Sequence, residues 1–146
     1  MRYETTTFSD GLEVVKDLIP LITSGIEGHK INVQPSYYLA AEQAGYGFGL
    51  IAYDGNKPVG FVATFLMPHQ HTGEFHAYGD VIFVLPEYRE TVVPGRLIVL
   101  AEKEAKARGA RFYIWSARED SPLSQVLTRR VPPKLRYKTF VRELWA

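Results

Sequence analysis

Arg89 and Arg96 stand on either side of Glu90-Thr91-Val92-Val93-Pro94-Gly95, and guanidinium forks so placed suit phosphate oxygens. Upstream, Val84-Leu85-Pro86-Glu87-Tyr88-Arg89 closes a β-rich run, because proline lacks the N–H a central strand would need. Downstream, Pro94 fits the first turn of a helix, Leu97, Ile98, Ala101, Ala105 and Arg108 follow helical spacing, and Gly109 suits the position just past the end. A loop that feeds a helix N-terminus presents backbone N–H groups and the positive end of the helix dipole. The chemistry expected of residues 89–96 is therefore the binding of a phosphate-bearing ligand, a pyrophosphate for preference, held mostly by backbone. From these residues alone, an ordinary β-loop-α connection with surface arginines is the competing explanation.

A second group is His69, His71 and His76, with Glu74 and Asp80 nearby. His-x-His on an extended segment points both rings to one face, a geometry compatible with a metal. Contact with a substrate, through His71 and His76, and plain surface exposure compete with it, and no metal is expected. An isolated aspartate on a strand, such as Asp80, commonly holds a turn or an arginine.

The elements that must position these groups follow an α/β (α+β) order. Tyr3 to Phe8 fits a first strand. Asp10 with Glu13 makes a capping-box-like start to a helix whose apolar stripe is Leu12, Val15, Leu18, Ile19 and Ile22, with Pro20 placed to kink or split it. A loop through Gly25 and Gly28 leads to a second helix from near Ser36 to Gly45, in which Tyr37 and Tyr38 read as packing residues. Phe48–Tyr53 and Val59–Met67 are strands joined by the turn Asp54-Gly55-Asn56-Lys57. After a polar loop over 68–75 come a strand from His76 to Leu85, the helix at 95–108, a strand from Arg111 to Ala117, a short helix opened by Ser121-Pro122, and a final strand from Leu135 to Leu144.

Composition agrees with one domain over residues 1–146. The chain is 46% hydrophobic and 13% aromatic, which argues for a globular core. Absence of cysteine excludes disulfides, thiolate metal sites and a cysteine nucleophile. No apolar run approaches the ~20 residues of a membrane span, and MRYETTTFSDG lacks the apolar centre of a secretory signal, so a cytoplasmic location is expected. The net charge of +1 hides an asymmetry: residues 1–87 carry four Lys or Arg against ten Asp or Glu, residues 121–146 six against one. Solvated surface is the plain explanation of the basic tail; the phosphates of a small ligand and nucleic acid are the others.

The wording V-x-P-E-Y-R, a short loop, then G-R-x-x-x-x-L-A-E-x-x-A-x-x-x-G resembles the acyl-CoA-binding motif of the GCN5-related N-acetyltransferases. Arg89 matches the motif's opening and Gly95 its closing small residue, while Glu90-Thr91-Val92-Val93-Pro94 supplies no first glycine and runs one residue longer. The likeness extends upstream through Gly60-Phe61 and Asp80-Val81-Ile82-Phe83. EGH near residue 28, PSYY near residue 37 and the His-rich segment resemble a subgroup encoded by bacteriophages, which would place the protein in a host cytoplasm.

The resemblance implies a single-domain fold with a mixed, mostly antiparallel sheet flanked by helices, acetyl-CoA as co-substrate, and direct transfer to a primary amine in a ternary complex. It implies that Phe83 and Val84 pair through their backbone with the pantetheine arm, and that Arg89, Glu90, Thr91, Val92, Val93, Gly95 and Arg96 form the pyrophosphate loop. Asp80 falls where the family often places a basic carboxylate, acting directly or through water. The family's proton-donating tyrosine aligns with Thr128, so Tyr137, Ser124 and Tyr113 are the substitutes, Tyr137 preferred because its strand would border the acceptor groove. Glu27 and His29 lie in the loop that borders the same groove. Alternatives are a non-catalytic phage structural or regulatory protein of the same fold and, more remotely, an acyltransferase acting on nucleic acid; a homodimer also stays open.

Overall fold

The computed structural model describes residues 1–22, 30–129 and 137–145, in two compact units, Met1–Ser116 and Ala117–Ala146. The first holds β1 (Arg2–Thr6), α1 (Phe8–Val15), α2 (Pro35–Gln43), β2 (Gly47–Asp54), β3 (Lys57–Pro68), β4 (Phe75–Val84), α3 (Val93–Ala107) and β5 (Phe112–Trp115); the second holds α4 (Pro122–Arg129). The strands lie in the order β1-β2-β3-β4-β5. Neighbours are antiparallel except β4 and β5, whose connection passes through α3 and so returns in the same direction. This is the mixed, mostly antiparallel sheet expected.

Local chemistry explains most of these bounds. The turn after Asp54 places Gly55 at φ 60°, and β2 and β3 pair directly from Asp54 and Lys57. On α3, Leu97, Ile98, Ala101 and Ala105 are buried in a stripe, and each large aliphatic side chain so buried contributes about 1.5–3 kcal/mol. The helix closes with Gly109 at φ 94°, the Ala110 N–H donating to the Ala105 carbonyl and the Gly109 N–H to that of Lys106, the paired bonds of a left-handed glycine stop. Ser121 opens α4 as expected, its hydroxyl accepting the Ser124 N–H at 3.1 Å.

Two expectations are corrected, the start of the first helix and the last strand, and the split of the first helical pattern at Pro20 is met. The cap of α1 is Thr7, whose Oγ1 accepts the Asp10 N–H at 3.2 Å, so β1 ends at Thr6 and Phe8 becomes a buried helical residue. That helix stops at Val15, and Ile19–Leu21 forms a separate 3₁₀ turn around Pro20, which has no N–H to continue the ladder. The final strand is absent from residues 137–145; Phe140 and Trp145 are 89% and 94% exposed, and apolar alternation makes a strand only where a neighbour pairs with it. Among the described residues no helix is long and apolar enough to cross a membrane.

Candidate active site

The site forms where β4 changes its surroundings. Over His76–Gly79 it pairs with β3 on one side and with Phe112–Trp115 of β5 on the other. Beyond Gly79 the β5 partner ends, while the β3 pairing continues to Val84. The same point carries a bulge: Thr64 faces Gly79 and Ala63 faces Val81, so Asp80 has no partner across the ladder. Asp80 and Val81, consecutive at this bulge, both line one cavity. Gly79 is required at this junction, because a Cβ there would lie 2.6 Å from the Trp115 ring. That ring stacks on Tyr113 at 4.2 Å and donates its indole N–H to Glu102 of α3 at 3.1 Å.

The cavity, of about 310 Å³, lies between α1, the 3₁₀ turn, Ile31, Val33, Tyr38 and the faces of β2 and β3. Its wall is mostly apolar, with Val15, Ile51, Phe61 and Ala63 among its residues, and Asp80 is the one ionisable acid or base among its described lining side chains apart from the Tyr38 phenol. The Tyr38 hydroxyl donates to Asp80 Oδ2 at 2.6 Å, while its ring packs against Phe8 and Phe65 at 5.2 and 5.3 Å. Burial first, then the hydrogen bond and charge of Asp80, push this phenol well above its ordinary value. It therefore stays a donor through neutral pH. The packing role expected of Tyr38 is found, and the polar contact at its tip is what sequence reasoning missed: packing periodicity says nothing of where a phenol's oxygen ends.

The loop arginines take different places. Arg89 Nε donates to the Val84 carbonyl at 2.8 Å, with the guanidinium 5.5 Å from the Phe83 ring centre, so the cation sits at the end of the unpaired β4 edge. Arg96 lies 5.8 Å from the Tyr3 ring centre. Among the described residues neither forms a salt bridge. The loop is anchored by Tyr88, whose hydroxyl donates to Asp54 at 2.7 Å, and by Thr91, which donates to the Tyr88 carbonyl and accepts the Val93 N–H at 3.2 Å. Val93 is buried at the start of α3, two residues earlier than the expected helix, and Pro94 occupies its first turn as expected. The loop thus folds onto a helix N-terminus without the motif's first glycine, with Thr91 satisfying one of its amides.

The histidines and Tyr113 lie outside this cavity. His69, His71 and His76 gather on one another, His76 with its ring 4.7 Å from that of His69 and 5.2 Å from Phe112. Both His76 ring nitrogens are shielded from solvent and unpartnered, and the His71 N–H donates to His69 Nδ1 at 3.2 Å. Along β4, His76 stands about 13 Å from Asp80 at the usual strand rise. Among the described residues no group of three or more His, Asp or Glu could hold a metal. Tyr113 is tied by a 2.7 Å hydrogen bond to buried Thr64; Thr64 and the cavity-lining Ala63 are adjacent on β3 and so face opposite ways. Tyr137 belongs to the second unit and is 83% exposed. Glu27 and His29 fall outside the described residues.

A five-stranded sheet whose fourth strand bulges and then loses its parallel neighbour, followed by an arginine-flanked loop into a helix, defines an acyltransferase-type fold. Residues 21–127 match the acetyltransferase (GNAT) family, and the chain belongs to it. Among solved structures it is similar to an aminoglycoside acetyltransferase from an uncultured soil metagenomic sample, in complex with sisomicin (TM-score 0.73, 11% identity, 97% of this chain and 93% of that one). It is also similar to the ribosomal-protein-alanine N-acetyltransferase of Brucella melitensis biovar Abortus 2308 (TM-score 0.73, 17% identity, 97% and 96%). A third is the aminoglycoside N-acetyltransferase AAC(6')-Iy in complex with CoA (TM-score 0.69, 16% identity, 97% and 99%). At these identities the likeness concerns the fold. No curated protein sequence matches the chain.

Proposed function

We propose that the protein is an acetyl-CoA-dependent N-acetyltransferase that acts on a primary amine by direct transfer. The observation that carries this reading is the half-paired β4, with Asp80 standing at the point where pairing on one side ends. An extended pantetheine arm can complete that edge as an added strand along residues 80–84, backbone to backbone. Its pyrophosphate then meets the residue 89–96 loop, with Arg89 at the junction, and the thioester lies beside the bulge.

The amine approaches from the cavity that Asp80 and Val81 line. As its nitrogen bonds to the thioester carbonyl carbon, the Asp80 carboxylate, directly or through a water, accepts the proton the nitrogen gives up. Tyr38 holds one carboxylate oxygen and leaves Oδ1 for that task. The carbonyl oxygen gains charge beside β4 amides that have no β5 partner. Collapse breaks the C–S bond, and CoA leaves as a thiolate whose conjugate acid has a pKa of about 8.5, good enough to depart without a protein acid. On this account Tyr137→Phe leaves the maximal rate within a few-fold, and a loss of ~10²-fold or more would make Tyr137 the proton donor. The direct test is calorimetric titration with acetyl-CoA followed by thiol release in the presence of a panel of amines. Binding with turnover is expected, and binding with no turnover on any amine would reduce the chain to a CoA-binding module.

A further inference from the structure

We infer that Trp115 is a positioning residue: tied to Glu102, it holds the end of β5 so that an acyl-CoA arm can lie beside β4. This rests on the acyltransferase reading and adds to it the residue that sets the opening. Gly79 and Trp115 are the last pair of the parallel ladder. Two aromatic side chains of β5 reach over that glycine: a Cβ at residue 79 would lie 2.6 Å from Trp115 Cε3 and 3.3 Å from Tyr113 Cε1. Their rings stack with centres 4.2 Å apart and planes 24° apart.

Each ring is fixed at its polar tip, to a different partner. Tyr113 reaches across β4 to share a 2.7 Å hydrogen bond with Thr64 of β3, the residue that faces Gly79. Thr64 is fully buried, so this bond belongs to the frame. Trp115 donates its indole N–H to Glu102 Oε1 at 3.1 Å, on the exposed side of α3. That bond joins the last residue of β5 to the helix at whose start the residue 89–96 loop ends. On the acyltransferase reading the pyrophosphate meets this helix start and the thioester meets the end of β5. One hydrogen bond thus couples the elements at the two ends of the arm.

An arm paired with residues 80–84 needs about 4.8 Å beside the strand. Glu102 keeps the indole on the α3 side of the sheet, out of the plane in which the arm would pair. Released from Glu102, the indole can turn to other staggered positions about its side-chain bonds, and the arm must then displace it.

Calorimetry with acetyl-CoA and with adenosine 3′,5′-bisphosphate, which has the nucleotide end of CoA and no pantetheine arm, separates the strand edge from the loop. Glu102→Ala should weaken acetyl-CoA binding at least about fivefold, the worth of one hydrogen bond, and leave the bisphosphate within about twofold. Glu102→Gln, whose amide oxygen still accepts from the indole, should restore acetyl-CoA affinity. Trp115→Phe, which keeps a ring and has no N–H, should behave as Glu102→Ala; the exposed Glu102 keeps the test open if it misfolds. Some thermal stability should be lost as well, and the difference between the two ligands is what reports positioning. The other tryptophan, Trp145, is 94% exposed. In a Trp145→Phe background the emission of Trp115 should change with acetyl-CoA and stay constant with the bisphosphate.

Equal weakening of both ligands, unchanged acetyl-CoA affinity in Glu102→Ala, no rescue by glutamine, or Trp115 emission indifferent to acetyl-CoA overturns the inference. If such a protein still acetylates amines, the acyltransferase reading survives alone. Arm-specific binding that follows the Glu102 variants, in a protein that acetylates no amine, upholds the role of Trp115 and removes that reading. Binding of neither ligand overturns both.

Discussion

From His76 to Gly79, β4 has a strand on each side; from Asp80 to Val84, among the described residues, it has one. In the first half the side chains are engaged: the Trp115 ring crosses Gly79, Tyr113 bonds Thr64, and the His76 ring nitrogens are closed off. In the second half the backbone has no β5 partner, Asp80 is exposed on a bulge, and Arg89 donates to the Val84 carbonyl at the far end. A single strand thus supplies a rigid frame and, directly continuous with it, an edge able to accept a ligand. On the proposed reading, the difference teaches that the site is made by the withdrawal of a neighbour, with few side chains dedicated to it. Changes in the open half should alter turnover and cofactor affinity, and changes in the closed half should alter stability.

The largest effect expected is at the bulge. Asp80→Asn should lower kcat by ~10²–10⁴-fold with little change in acetyl-CoA affinity, the signature of a lost general base. Normal turnover in that variant would leave Asp80 as a residue that merely ties down Tyr38. At the other end of the open half, Arg89→Ala should weaken acetyl-CoA binding by about 1.5–3 kcal/mol, the worth of a charge-assisted contact. Unchanged affinity by calorimetry would take Arg89 out of the site and leave it as a clasp on Val84.

Tyr38→Phe sharpens the comparison on a smaller scale. Losing the 2.6 Å bond should cost about 1 kcal/mol, a factor of about five in kcat, with the pH dependence of kcat displaced and acetyl-CoA affinity intact. A purely structural Tyr38 would lower thermal stability and move neither kcat nor its pH profile. The smallest effect is common to both halves. Burial, the leading cause for Tyr38 and Tyr113 alike, raises both phenols above the ordinary 10.0. The unfolded chain therefore gives up these protons first, and the stability they contribute is full below pH 10 and declines as pH rises beyond it. Thermal melts should show that decline, and Tyr113→Phe should make it shallower.

Much of the frame was legible because local chemistry dictates it. Asp54-Gly55 needs a left-handed turn, Gly109 ends α3 through its positive φ, and Leu97, Ile98, Ala101 and Ala105 can share a face only on a helix. What was not legible depends on register. Phe-His-Ala-Tyr-Gly-Asp-Val-Ile-Phe-Val gives a strand, and its alternation fails near Gly79-Asp80, but only the pairing with β3 makes Asp80 the extra residue. The tip of Tyr38 and the cavity are likewise assembled from segments far apart in sequence. The expected strand over residues 135–144 misled for the converse reason: alternation is necessary for a strand, and a neighbour is what completes it.

Amide hydrogen exchange, followed by mass spectrometry with and without acetyl-CoA, addresses the half-paired strand itself. Peptides covering residues 80–84 should gain protection when acetyl-CoA is added, as an unpaired edge becomes a paired one, together with those of the 89–96 loop. Peptides over 76–79, already paired on both sides, should exchange at the same rate in both states. Protection confined to the loop, with residues 80–84 unchanged under saturating acetyl-CoA, would contradict the account, because the open edge of β4 would then not be where the cofactor lies.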